Sequence, residues 1–226
     1  MSAHAIVQTV RGIARDEAAK RWYPAFGIVK SIHGGTREHA CTVQLRETGI
    51  VLPSVPIATG LIGTAALPRE GDLVLVVFAA GDLHAPVVVG RLYDDKVDPP
   101  DHAPGELIAF LPGGETDDSK GLQVKLQTPG DGSRALTVTL GGSVEVELEL
   151  SDNAIKLKTQ DAKLELTQSG SSDGKAKLEV GGSSLTIEQS GDISIKASGK
   201  LSLKATQIEI NGDATVKVAG QTIDLN

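Results

Sequence analysis

One cysteine, one methionine and one tryptophan stand in 226 residues, and Phe, Tyr and Trp together make up only 3% of the chain. Downstream of Phe110 there is no Phe, Tyr, Trp, His, Cys or Met, and downstream of Pro129 there is no proline. Each absence excludes something. Cys41 alone can close no intrachain disulfide, and its place just before the alternating Val43 and Leu45 makes it a small buried core residue. A globular core fills irregular space with bulky aromatics, so the C-terminal half is not organised around one. Strands without proline can be paired along both edges. The formal net charge of −7 argues against a nucleic-acid surface, which is basic. No apolar run has the length of a membrane span. The N-terminus lacks the charged region, apolar run and small-residue cleavage pattern of a secretion signal, and synthesis in the cytoplasm is expected.

What the chain does have, from about residue 136 onward, is a short repeat: two or three alternating apolar residues, then a glycine or polar turn. Leu178/Val180, Leu185/Ile187, Ile193/Ile195, Leu201/Leu203, Ile208/Ile210, Val216/Val218 and Ile223/Leu225 start 7, 8, 8, 7, 8 and 7 residues apart. Each i, i+2 pair shares one face of a strand. Lys177, Thr186, Ser194, Lys196, Ser202, Lys204, Glu209, Lys217 and Asp224 would face water. Glycines such as Gly181, Gly191, Gly199, Gly212 and Gly220 sit at the joints. The same rhythm begins earlier, in Leu136/Val138/Leu140, Val144/Val146/Leu148, Ile155/Leu157 and Leu164/Leu166, with Ser169 to Gly174 a longer excursion.

Strands this short, dry on one face, are not stable alone. A single-chain solenoid needs roughly 20 or more residues per coil, whereas this unit supplies one side. Three chains, each giving one side per layer, would bring the apolar rows together on a central axis and leave free edges only at the ends. The expected core of that homotrimer is Leu185, Ile187, Ile193, Ile195, Leu201, Leu203, Ile208, Ile210, Val216 and Val218. The other arrangement with the same pattern is a flat meander of hairpins.

Residues 3 to 20 read as a short helix in which Ile6, Val10 and Ile13 share a face. It is too short and polar to hold by itself, so it docks on the body of the protein or on a neighbour. Strands follow at Phe26 to Ile32, Ala40 to Arg46, Ile50 to Ile57, Asp72 to Phe78 and Pro86 to Leu92, separated by turn residues. Five strands in about 70 residues suggest a closed barrel of the OB type.

The run Pro68-Arg69-Glu70-Gly71-Asp72, the strand Val74 to Phe78, Gly81-Asp82, Ala85 to Gly90, and Leu92-Tyr93 before Pro99-Pro100 resembles the OB domain of central spike proteins from contractile injection machines. Phage baseplate assembly protein V and the matching part of the type VI secretion spike VgrG belong to that family. Gly27-Ile28-Val29 is similar to the family's opening strand. The resemblance implies an all-β chain, laid out as a helical segment in 1–24 that docks on the baseplate hub through Ile6, Val10 and Ile13, an OB barrel in 25–95, linker and transition strands in 96–135, and an intertwined triple-stranded β-helix needle in 136–226. It implies a structural needle in a virion or phage-tail-like particle, driven through the target cell envelope by sheath contraction. No hub domain precedes Ala25, which points to a separate spike subunit. Some short phage spikes end in a His-x-His iron site; the last histidine here is His102, so the expectation is a blunt end formed by Ile223 and Leu225 and capped by a protein resembling the PAAR-repeat tip proteins.

No constellation of catalytic residues stands out, and neither enzyme activity nor a metal or cofactor is expected. His4, His33, His39, His84 and His102 are scattered without metal-ligand spacing, and His33 and His39 flank a turn as solvated residues. Glu115, Asp117 and Asp118 lack the alternation of a calcium loop and read as a solvated turn. Tyr93 and Phe78 are too few aromatics for a single-strand nucleic-acid platform. Two rivals remain: a trimeric fibre or adhesin, which would need a receptor-binding head, and a spike with carbohydrate-cleaving activity, which would need two carboxylates across a sugar cleft, whereas the proline- and glycine-rich stretch Asp94 to Lys120 reads as a linker.

Overall fold

The computed structural model describes residues 3–19, 21–33, 35, 38–115 and 117–224. The chain divides into two compact units, Met1–Pro99 and Pro100–Asn226.

The first unit opens with helix α1, Ala3–Ala19, where the helical periodicity placed one. Five strands follow: β1 Ala25–His33, β2 Ala40–Leu45, β3 Val51–Pro56, β4 Leu73–Phe78 and β5 Pro86–Leu92. They form an antiparallel sheet in the order β3-β2-β1-β4-β5. A parallel bridge between Ile57 and Val88, with the Ala58 N–H donating to the Val88 carbonyl at 2.8 Å, joins the two ends of that order into a barrel. This is the five-stranded OB closure, which removes the free edges. Curvature comes from register shifts that leave one extra residue in β1 between Val29 and Ser31, one in β3 between Leu52 and Val55, and one in β5, Val89, between Val88 and Gly90. Bulges of this kind bend a strand and increase its twist.

Alternation puts Val29, Cys41, Val43, Leu45, Val55, Val74, Val76 and Val88 inside, each at most 1% exposed. Cys41 is thus the buried core residue its context indicated, and burial pushes its thiol pKa up. Trp22 packs at a tilt on Phe78, with ring centroids 5.6 Å apart, while its backbone N–H donates to the Gly81 carbonyl. Phe78 is therefore packing material and not an exposed platform.

The second unit is one nine-stranded antiparallel sheet: β6 Glu106–Leu111, β7 Leu122–Gln127, β8 Ala135–Leu140, β9 Val146–Ser151, β10 Ala154–Lys158, β11 Ala162–Thr167, β12 Lys175–Val180, β13 Ser183–Glu188 and β14 Ile193–Lys196. Each strand pairs with its sequence neighbours, so this single chain takes the hairpin meander over 106–196. The excursion at Ser169 to Gly174 is present: the Asp173 carboxylate accepts from the N–H groups of Ser169 and Gly170, and Gln189 bridges its end. Two departures from the sequence reading concern strand content. The proline- and glycine-rich stretch 94–120, read as a linker, holds β6, because Glu106-Leu107-Ile108-Ala109-Phe110-Leu111 alternates between its turn-forming flanks. Beyond β14, the pairs from Leu201 to Ile223 lie in no strand of this chain, and every described residue from 201 on is exposed.

The tightest point of the barrel is Gly27, which faces inward between Leu45 on β2 and Val74 on β4. A β-carbon there would run into the Val43 side chain. Gly27→Ala overpacks this site, with an expected loss of about 1–3 kcal/mol, read as a lower denaturant midpoint of the barrel transition. Gly90→Ala, which meets open space, is expected to leave that midpoint nearly unchanged.

Candidate assembly interface

The strand register sorts the second sheet into one apolar and one polar face. Leu107, Leu126, Leu136, Leu150, Ile155, Leu166, Ala176, Ile187 and Ile193 stand opposite one another in turn, one per strand from β6 to β14. Ala109, Val124, Val138, Leu148, Leu157, Leu164, Leu178, Leu185 and Ile195 form a second unbroken row on the same face. A third row, Leu111, Leu122, Leu140 and Val146, lines its first four strands. No charged residue enters any of the three rows.

The opposite face carries the charges. Across its middle run Lys125, Thr137, Glu149, Lys156, Glu165, Lys177, Thr186 and Ser194. Lys156 Nζ donates to Glu149 at 3.0 Å, Lys163 pairs with Glu165 at 2.8 Å, Lys177 with Glu179 at 2.7 Å, Lys175 with Glu188 at 3.1 Å and Lys125 with Glu106 at 3.0 Å. The Lys163 contact holds the Glu165 carboxyl below its usual range, and the same bond raises the Lys163 ammonium. Lys156–Glu149, Lys175–Glu188 and Lys125–Glu106 join neighbouring strands and favour the observed register, whereas Lys163–Glu165 and Lys177–Glu179 each lie along a single strand.

Exposure on the two faces runs against ordinary packing. Leu164 and Leu166 are 42% and 43% exposed, while the Glu165 side chain between them is 22% exposed. Among the described residues of this unit no apolar side chain is buried; only Gly121 is. A sheet with a dry face and no core of its own is incomplete as a folded unit.

Of the expected core residues, the structure brings four together: Leu185 opposite Ile195 and Ile187 opposite Ile193, all on the apolar face. Leu201, Leu203, Ile208, Ile210, Val216 and Val218 are exposed outside any strand. Ile223 is exposed as well, and Leu225 lies outside the described residues. On α1, Ile6, Val10 and Ile13 are 53–58% exposed and present an uncovered stripe. Sequence reasoning missed the contribution of β6 and β7 to the apolar face. The signal was there in Leu122-Gln-Val124-Lys-Leu126, whose alternation matches that of the later repeats.

The histidines at the β1–β2 turn are half-buried and bonded, which corrects the expectation that they are solvated. His33 Nε2 lies 2.8 Å from Thr42 Oγ1, and His39 Nδ1 lies 3.0 Å from the Ile57 carbonyl. The curvature that closes the barrel carries both inward. Among the described residues no three His, Cys, Asp or Glu side chains are placed to hold a metal ion. Asp117 accepts from the N–H and hydroxyl of Ser119, which lowers its pKa and makes it a turn cap. An open groove of about 900 Å³ runs along the turns of β9 to β13. Both carboxylates lining it are engaged, Asp152 with Arg134 at 2.8 Å and Glu188 with Lys175.

The closed five-stranded order and its bulges define the first unit as an OB barrel. Residues 27–93 match the family model of the type VI secretion system/phage-baseplate injector OB domain. The match bears out the resemblance carried by Pro68 to Gly90, covers less than half of the chain, and supports a structural role in a baseplate. It implies a virion- or tail-associated component. No curated protein matches the chain.

The first strand of the sheet is fastened by Glu106, which accepts from Lys125 and Gln127, and both bonds hold its carboxyl below the usual range. A carboxylate depressed in the folded state adds stability above its unfolded pKa and loses it as pH falls through the folded value. Hydrogen exchange in β6 is therefore expected to accelerate as pH drops below the ordinary carboxylate range, after correction for the intrinsic rate. Glu106→Gln is expected to flatten that response.

Proposed function

We propose that this protein is the central spike of a contractile injection machine, in which three copies close the apolar faces of their second sheets on a common axis to form a needle. The observation that carries this reading is the uncharged face of nine strands, downstream of an injector OB domain. Burying a Val, Leu or Ile side chain contributes about 1.5–3 kcal/mol. These are already half-covered, so about half of that per residue remains. The sixteen such side chains in the two rows of nine, which also hold Ala109 and Ala176, even so outweigh the ~4–15 kcal/mol entropic cost of association. Leu, Ile, Val and Ala of similar size suit a narrow three-sided axis. The paired charges then face water on the outside.

In this assembly β6 to β14 of each chain form one antiparallel side, and the pairs from Leu201 to Ile223 wind with the other two chains as an intertwined β-helix. Their spacing continues the repeat, and they find no partner within one chain. The barrel and the α1 stripe of Ile6, Val10 and Ile13 attach the spike to the baseplate hub. Sheath contraction drives the needle through the target cell envelope, and its closed backbone ladders resist buckling. Ile223 and Leu225 of the three chains form a small apolar end that a tip protein resembling the PAAR-repeat proteins covers.

Light scattering of the full chain is expected to give three times the 23.4 kDa chain mass; a folded monomer or dimer would overturn the proposal. Ile195→Asp sets three carboxylates around one axis, each costly to desolvate and repelling the others. Assembly is expected to fail or to require low pH, while Lys196→Asp on the outer face keeps the trimer. Equal tolerance at 195 and 196 would refute the assignment of faces. For the point, Ile223→Asp in the intact particle is expected to abolish co-purification of a small tip protein without changing the trimer mass.

A further inference from the structure

We infer that the outer face of the barrel strands β1, β4 and β5 is a contact surface for a second copy of this chain, and that its counterpart is the Leu61–Ile62 tip of the loop between β3 and β4. The inference rests on the trimeric assembly proposed above. Strand β4, Leu73-Val74-Leu75-Val76-Val77-Phe78, has no polar residue, the pattern of a strand covered on both sides. Its inward set, Val74, Val76 and Phe78, fills the barrel. Its outward set continues sideways through the register: Leu75 stands opposite Phe26 of β1, and Val77 opposite Val87 of β5, with Val89 at the adjoining bulge. Phe26 and Val89 stay 45% and 44% exposed among the described residues.

The counterpart has the shape of a plug. Residues 57–68 contain no charge, and Ile62 is 90% exposed at the tip. The loop is held open by its own hydroxyls: Thr59 Oγ1 lies 2.9 Å from Thr64 Oγ1, and the Thr64 hydroxyl donates to the Leu61 carbonyl at 2.7 Å. A large aliphatic side chain fixed in water costs solvation, but a pre-set one loses little entropy on docking. One chain carries both plug and receiving face, and both are left exposed within it. Contacts of this heterologous kind repeat from copy to copy and close into a ring when the rotation allows. Only the residues between Leu92 and Pro100 separate β5 from the second unit. Within an assembled trimer that tether keeps the barrels at an effective concentration in the ~mM range. The basic residues nearest the face do not recommend an acidic partner, because Arg91 is turned to Asp72 at 3.9 Å and to the Leu67 carbonyl.

The test is a full-length double variant, Ile62→Cys with Val89→Cys, treated with a disulfide oxidant and run without reductant; Cys41 is fully buried and serves as a silent background. The expected result is covalent species up to the trimer from the double variant and none from either single variant. A trimer by light scattering with no link between 62 and 89 overturns this inference alone, as does a link confined to one chain or one formed by Ile62→Cys on its own. A monomer overturns both this inference and the proposed function. If the double variant does not fold, Ile62→Asp decides. Faster hydrogen exchange at Leu75 to Val77 and Val87 to Val89 with the trimer mass retained supports the contact, and unchanged exchange in such a trimer overturns it.

Discussion

Every apolar side chain in the longest rows of the second sheet points the same way, and none of those described in that unit is buried. This follows from the two-residue period of an extended strand combined with antiparallel pairing in strict sequence order. Once Leu107 faces one side, register carries the same choice through nine strands to Ile193. A one-residue slip anywhere would turn a strand's leucines to the charged face and its lysines to the dry one. The face is therefore specified locally, by strand period and register.

The two units solve the same problem in opposite ways. The barrel curls five strands until β3 meets β5 and buries its own core around Val43, Val55 and Val74. It needs bulges at three places and a residue without a side chain at position 27 to do so. The second sheet keeps its register from strand to strand with no such shifts, and its end strands β6 and β14 do not pair with each other. That regularity repeats one spacing of side chains from strand to strand. It also explains the missing aromatics, because a bulky ring in one row would break the spacing of its neighbours.

The charged face adds specificity more than stability. Exposed pairs such as Lys177 with Glu179 are each worth little, yet the alternation of Glu149, Lys156, Glu165 and Lys177 across four strands penalises any shifted pairing. This ladder fades at Thr186 and Ser194, close to where the in-chain strands themselves end at Lys196. Past that point the apolar pairs continue at the same interval without neighbours to fix their register.

Much of the architecture was legible before any coordinates. The five barrel strands, the N-terminal helix, the burial of Cys41 and the strands from Leu136 to Ile195 all follow from local signals: alternation, helical spacing and glycine or polar turns. Period and turn chemistry act within a few residues and survive in a linear text. Strand β6 escaped because prolines and glycines on its flanks hid a short alternation, and the half-burial of His33 and His39 depends on a curvature that residue types do not encode singly. Only the tertiary structure decided that successive strands pair as hairpins within one chain, that the barrel closes through Ile57 and Val88, and that Leu75 and Val77 are left outward while Val74 and Val76 go in. Those outcomes depend on which distant segments meet. Seven- and eight-residue repeats permit more than one set of meetings with the same dry face, so the pattern named the face and the three-dimensional pairing chose the neighbours.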